Sequence, residues 1–244
     1  MNKYFVVSDI HGFYNEMITA LVEAGFDYDD ERHVFICCGD LFDRGPDALK
    51  CLRFVNKLPD ERKILIRGNH EDLLMDLLNR GYYEWYDYHN RTDDTVRQLS
   101  VLENDDSYVY FDIKNNIELK QYYNSLHNYY EMGNYIFVHG YIPVIDNGSC
   151  PEYRPDWRNA SYREFGDAAW LNGYEMYSCG IKETGKTIVC GHFHTSYGHH
   201  FLHGDGPEFG EGMNSNIFYE DGFIGLDACT VITGRVNVLV IEGK

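Results

Sequence analysis

Short apolar runs alternate, through the first third of the chain, with stretches whose apolar positions recur every three or four residues. Tyr4–Val7, His33–Cys38 and Lys63–Ile66 are apolar with little interruption, the pattern of strands buried on both faces of a sheet. Between them Tyr14–Ala24 gathers Met17, Ile18, Leu21 and Val22 on one helical face, and Ala48–Lys57 does the same with Leu49, Leu52, Phe54 and Val55. Glu71–Asn79 begins a third helix. This alternation predicts an α/β fold with a largely parallel sheet, and later apolar runs predict strands at Tyr135–Val138, Thr187–Cys190, Phe223–Asp227 and Val236–Ile241.

From Arg80 to Glu131 the composition shifts to Tyr, Asn and Asp, with helical patterns at Thr95–Glu103 and Leu119–Tyr130; it reads as a helical insertion whose tyrosines pack it in place. Asp146 to Lys186, rich in Gly, Asn, Arg and aromatics, reads as loops. The 244 residues, 44% hydrophobic and 25% charged, fit one packed domain over 1–244.

The formal charge of -18 argues against nucleic-acid or membrane partners, which are held through Lys and Arg. A phosphorylated ligand would instead need a local positive centre, which bound cations supply. The seven cysteines have no C-x-x-C and no regular spacing, so neither a disulfide framework nor a zinc ribbon is indicated. With too short an apolar run at the N-terminus for a signal peptide and none of the roughly 20 residues that would span a bilayer, a reducing cytoplasm is the expected compartment.

Each strand of the first third ends in a polar cluster: Asp9-Ile10-His11, then Gly39-Asp40-Leu41-Phe42-Asp43-Arg44, then Gly68-Asn69-His70-Glu71. Val138-His139-Gly140 and Gly191-His192-Phe193-His194 repeat the arrangement after two later strands. Alone, each is a cap or a turn. Together they converge, because ligands of open α/β sheets collect at the carboxyl ends of strands. Carboxylate, imidazole and one amide oxygen suit manganese, iron or zinc better than magnesium or calcium. His199, His200 and His203 lack a trusted ligand spacing and read as a solvated loop.

The motifs Gly39-Asp40-Leu41-Phe42-Asp43-Arg44-Gly45 and Gly68-Asn69-His70-Glu71 resemble those of the calcineurin-like metallophosphoesterase superfamily, in particular its phosphoprotein phosphatase branch. The resemblance implies two facing mixed sheets flanked by helices and a pair of divalent ions, manganese foremost, with iron or zinc as alternatives. It also implies that Asp9, His11, Asp40 and His194 hold one ion while Asp40, Asn69, His139 and His192 hold the other, a pair that clamps the attacking and leaving oxygens of an in-line displacement.

By the same resemblance His70 donates a proton to the leaving oxygen, Asp43 orients it, and Arg44 and Asn69 meet the phosphate. The chain departs from that branch at Gly140-Tyr141, at His194 and at Asn172, where Trp170-Leu171-Asn172 offers no second phosphate-binding arginine; Arg158, beside Trp157, is the substitute. The implied substrate is a phosphomonoester, foremost phosphoserine or phosphothreonine on a protein or peptide. A dinucleoside polyphosphate is the alternative and a non-catalytic scaffold a remoter one.

Overall fold

The computed structural model describes residues 1–100, 106–148 and 150–243. Its first half runs β1 (Lys3–Val7), α1 (Tyr14–Glu23), β2 (His33–Cys37), α2 (Ala48–Lys57), β3 (Lys63–Ile66) and α3 (Asn69–Arg80). Four helices follow: α4 (Trp85–Asn90), α5 (Thr92–Leu99), α6 (Asp106–Asn115) and α7 (Ile117–Asn124). The remainder is β4 (Leu126–His127), β5 (Tyr130–Met132), β6 (Tyr135–Phe137), α8 (Tyr162–Ala168), α9 (Gly173–Ser178), β7 (Thr187–Cys190), α10 (Thr195–His203), β8 (Phe218–Glu220), β9 (Phe223–Gly225), α11 (Thr230–Thr233) and β10 (Leu239–Glu242).

The strands form two mixed five-stranded sheets, in the orders β10-β1-β2-β3-β4 and β5-β6-β7-β9-β8. Because side chains alternate across a strand, each strand feeds two cores. Phe5 and Val7 of β1, with Phe35 and Cys37 of β2 and Leu65 of β3, face the layer of α1, α2 and α3. Val6, Val34, Ile36, Ile64 and Ile66 face the opposite way, where they meet Phe137, Val189 and Ile224 of the second sheet. Ile188, Cys190 and Phe223 then pack outward against Trp157, Phe165, Tyr174 and Met176. The order of layers is helix, sheet, sheet, helix, which explains why the strands are apolar on both faces. No helix among the described residues is long and apolar enough to cross a membrane.

β1, β2 and β3 are parallel, with Val7 beside Cys37 and Cys37 beside Leu65. β6, β7 and β9 are parallel in the second sheet. The loops leaving the carboxyl ends of both sets therefore open at one end of the sandwich. The insertion packs through α5 and α7 on α2, and through α6 on α3.

Some expected elements differ. The helix expected at Leu119–Tyr130 ends at Asn124, where Ser125 turns its hydroxyl onto the Tyr122 carbonyl, and the next residues pair as β4 and β5. The helix expected at Thr95–Glu103 spans Thr92–Leu99, and its far end lies outside the described residues. Asp146 to Lys186 is not all loop: Ser161 and Glu164 form a reciprocal cap that starts α8, and the Asn172 side chain caps α9. The three histidines expected in a loop lie on α10, where His199 is buried and donates its Nε2–H to the Asn216 carbonyl, and His203 meets Glu220.

Candidate metal centre

The turns that leave the strands are sharp. Asp9, His11, Asp40, Asp43, Arg44 and His192 all take the left-handed conformation, with φ between 51° and 68°. Such residues cost about 1–3 kcal/mol each and persist only where surrounding structure enforces them. Two glycines permit the convergence: a Cβ on Gly39 would lie 2.5 Å from Nδ1 of His139, and one on Gly68 would collide with the Asp40 carboxylate.

Asp40 is the centre of the arrangement. Its Oδ1 accepts from the His70 backbone N–H at 3.0 Å and lies 3.3 Å from Nε2 of His139, while Oδ2 lies 3.8 Å from Nε2 of His11. Two groups of mutually close ligand atoms result, His11 with Asp40 and His70, and Asp40 with His139 and His192. Asn69 joins the second through Oδ1, 2.7 Å from Nε2 of His139. Asp9 joins the first, 4.0 Å from Nε2 of His11, and is tied to the second sheet by accepting from the His192 backbone N–H at 2.9 Å and from the Ser8 hydroxyl.

The imidazoles are presented as ligands. Nδ1 of His11 donates to the Phe42 carbonyl at 3.0 Å, which fixes the tautomer and leaves its Nε2 with the lone pair, while Nδ1 of His139 donates to the Cys38 carbonyl at 2.7 Å and its Nε2, which carries a proton toward Asn69 and Asp40, is the atom a metal would take in that proton's place. Burial pushes His11 well below its ordinary value and takes His192 down to about 3, so both favour the neutral form that binds metal. Burial opposes the charged forms of Asp40 and His139 as well, but their mutual attraction wins: Asp40 is held well below the carboxylate range and His139 is pushed up to about 10. Two adjoining buried carboxylates need positive charge, and His139 supplies it by drawing in a proton. A divalent cation supplies the same charge while using that nitrogen as ligand, so the residues fit a metal pair.

Beside this cluster His70 places Nδ1 2.6 Å from Asp43 Oδ2. Asp43 is in turn held by the hydroxyls of Thr92 at 2.8 Å and Thr95 at 2.6 Å, both from α5 of the insertion. Burial opposes a proton on His70, yet Asp40 and Asp43 together raise its pKa. The Arg44 guanidinium reaches Nε2 of both His11 and His70 at 3.2 Å. That contact requires His70 to accept, hence to be neutral, whereas the two carboxylates favour the imidazolium.

Glu71 organises the loops without facing the cavity. Fully buried, it accepts from the backbone N–H groups of Asp40 at 3.0 Å, Leu41 at 3.0 Å and Gly68 at 2.8 Å, and from the Tyr122 hydroxyl at 2.9 Å. Glu71 stood in the Gly68-Asn69-His70-Glu71 motif without a role assigned to it, and nothing in the sequence distinguished Thr92, Thr95 or Tyr122 from ordinary helix and packing residues. Asp227, expected only as the end of a strand, lies beyond β9 and lines a cavity of about 260 Å³ with His11, Arg44, His192 and His194.

His194 thus lines the cavity, but its Nε2 lies 3.0 Å from Glu208, and it stands outside the two groups of close ligand atoms. The structure does not bring Arg158 to the cluster. Its guanidinium is bound by Glu131 at 2.5 Å and Glu183 at 3.0 Å and covers the Trp157 ring, so its donors are spent away from any phosphate. Asn172, where an arginine was sought, is the cap of α9.

The sequence model of the calcineurin-like phosphoesterase family matches residues 3–229. A symmetrical bis(5'-nucleosyl)-tetraphosphatase of Buchnera aphidicola is 42% identical over 71 residues, 29% of this chain and 24% of that protein. Serine/threonine-protein phosphatase 1 of Salmonella typhimurium is 39% identical over 72 residues, 30% of this chain and 31% of that protein. The matched stretch spans under a third of the length of either curated relative. A cold-active protein-tyrosine phosphatase of Shewanella shares the fold over 99% of this chain and 76% of its own, with a TM-score of 0.58 and 17% identity.

Proposed function

The chain belongs to the calcineurin-like phosphoesterase family, and from that premise we propose that it is a hydrolase of phosphomonoesters that works with two divalent ions. Its substrate is then phosphoserine or phosphothreonine in a protein or peptide. The observation that carries the reading is Asp40, which offers one oxygen to each of two groups of buried ligands, with a carboxylate-held histidine alongside.

Asp9, His11, Asp40 and His194 would hold one ion and Asp40, Asn69, His139 and His192 the other. Mixed nitrogen and oxygen donors favour manganese, with iron and zinc as alternatives. When bound, the pair supplies positive charge at the phosphate and makes water acidic enough to attack near neutral pH. The chain's own groups do the rest. Arg44 releases the two imidazoles to grip phosphate oxygens with its fork of donors, and Asn69 would meet the phosphate as well. His70, freed and made cationic by Asp40 and Asp43, gives its Nε2 proton to the leaving oxygen, while Thr92 and Thr95 keep Asp43 in place.

A second reading is cleavage of dinucleoside polyphosphates, supported by the likeness of 71 residues of the chain to the Buchnera tetraphosphatase. Chelator-stripped protein reloaded with manganese separates the two when assayed on a phosphopeptide and on diadenosine tetraphosphate. Turnover of the phosphopeptide at a kcat/KM above that of the dinucleotide supports the first reading, and turnover of the dinucleotide alone overturns it.

A further inference from the structure

α3, which carries Asn69 at its first position, lines a groove of about 610 Å³ together with α8 and the turn that follows it. Asn69, Asp72 and Asp76 are spaced i, i+3, i+7 and so share one face of α3, while α8 and its turn contribute Tyr162, Asp167 and Trp170. Two residues join the groove to the metal cluster. Asn69 is 2% exposed, its Oδ1 meets His139, and its Nδ2 has no hydrogen-bond partner among the described residues. The Trp170 ring lies edge-on to that of His192, 5.8 Å between centroids, yet is 52% exposed.

The charges of the groove are uneven. Arg67 is spent, because its guanidinium binds Asp72 through two hydrogen bonds of 2.6 Å and covers the Tyr162 ring at 3.5 Å. Asp76, Asp167 and Arg163 are exposed and form no ion pair among the described residues, which leaves two carboxylates against one guanidinium. The Asp167 carbonyl accepts from the Trp170 backbone N–H at 3.2 Å, so an unpaired carboxylate and an exposed indole stand one turn apart beside the metal cluster. An indole face with a carboxylate near it holds a Lys or Arg side chain by cation–π attraction and by charge.

We infer that this groove binds the peptide flanking the phosphorylated residue and selects a basic side chain there. The inference rests on the phosphopeptide reading above and narrows its substrate class to basic phosphopeptides. Asp76 stands seven residues along α3 from Asn69, about 10 Å at 1.5 Å per residue. An extended peptide covers that span in about three residues, so the selected Lys or Arg lies within about three positions of the phosphorylated one. The formal charge of -18 over the whole chain also draws in a cationic substrate.

The test is the ratio of kcat/KM for two sets of phosphoserine peptides, alike except for Lys or Glu within three positions on either side of the phosphoserine, with manganese-loaded protein. The Lys peptides should be preferred about 5–100-fold, the product of one exposed cation–π contact and two exposed ion pairs, and added salt should shrink the preference. A ratio of two substrates does not depend on how much of the protein is active, so it can be read even in a variant that folds poorly. Asp76→Asn, Asp167→Asn and Trp170→Leu should each lower it about 1.5–5-fold. Arg163→Gln should raise it, and Glu61→Gln, exposed and outside the groove, should leave it unchanged. A ratio near one in the unsubstituted protein, or one that no groove variant moves, overturns the inference while leaving the phosphatase reading intact. Turnover of diadenosine tetraphosphate and of neither peptide set overturns both.

Discussion

Tyr122→Phe isolates the link between the insertion and the metal-binding loops. The Tyr122 ring is 1% exposed and packs on Phe42 at 5.0 Å and Tyr123 at 5.5 Å, contacts that phenylalanine keeps. What is lost is one O–H donor to Glu71, 2.9 Å away. Burial pushes the Glu71 carboxyl up, with Asp40 adding to the effect, and the Leu41 and Asp40 N–H groups oppose it. Both Glu71 oxygens accept two hydrogen bonds each and neither donates, the pattern of a carboxylate, and a hydrogen bond to a buried charge contributes about 1.5–3 kcal/mol. No cavity forms, so that is the whole expected loss, equivalent to a fall in Tm of roughly 3–12 °C for a chain of this size. Tyr123→Phe is the internal control, because its hydroxyl donates to a neutral acceptor, the Glu71 carbonyl at 2.8 Å, and should cost only about 0.5–1.5 kcal/mol. Urea unfolding of both variants, with chelator present so that ion binding does not contribute, gives the comparison. A Tyr122→Phe variant as stable as its parent, or a Tyr123→Phe variant that loses more, would refute the role given to Glu71 as the charged hub of the loops.

Three further outcomes are expected. His70→Ala should lower turnover of poor leaving groups by about 10²–10⁴ while retaining both ions, whereas Asp40→Asn should lose metal as well, both read by elemental analysis beside kinetics; the reverse pattern would exchange the roles assigned to them. Asp43→Asn removes one carboxylate that raises the His70 pKa, so the alkaline limb of kcat/KM, where a protonated His70 is lost, should move to lower pH, and an unmoved limb would remove His70 as the proton donor. Glu164, held to about 2 by the Ser161 N–H and hydroxyl and by Arg154, has a folded pKa below its unfolded value of about 4.3. Its contribution is therefore complete above that value and lost as pH falls toward about 2, so Glu164→Gln should flatten this part of the acid-unfolding curve.

Seven of the ten strands among the described residues and the first two helices were legible because a sandwich of four layers leaves a strong signature, apolar residues on both faces of each strand and one apolar stripe per helix, whereas β4, β5 and β8, two or three residues long, left none. Lys63–Ile66, Thr187–Cys190 and Ala48–Lys57 have the bounds expected. The cluster of candidate ligands was legible for a related reason: Asp9, Asp40, Asn69, His139 and His192 stand just past strands, where polar residues have no part in the core.

The supporting groups lacked any such signature. Thr95 follows Asp43 by 52 positions and Tyr122 follows Glu71 by 51, so their meeting depends on how the insertion folds back over α2 and α3. Periodicity says that a helical face is buried but not that one residue on it is a hydroxyl aimed at a carboxylate. Arg158 failed for the complementary reason. A cation beside a tryptophan is a fair candidate for phosphate, yet Glu131 and Glu183, distant in sequence, reach it first. Within this fold the candidate ligands are set by strand position, which a linear pattern records, whereas the orientation of those side chains is set by residues that only tertiary packing brings near.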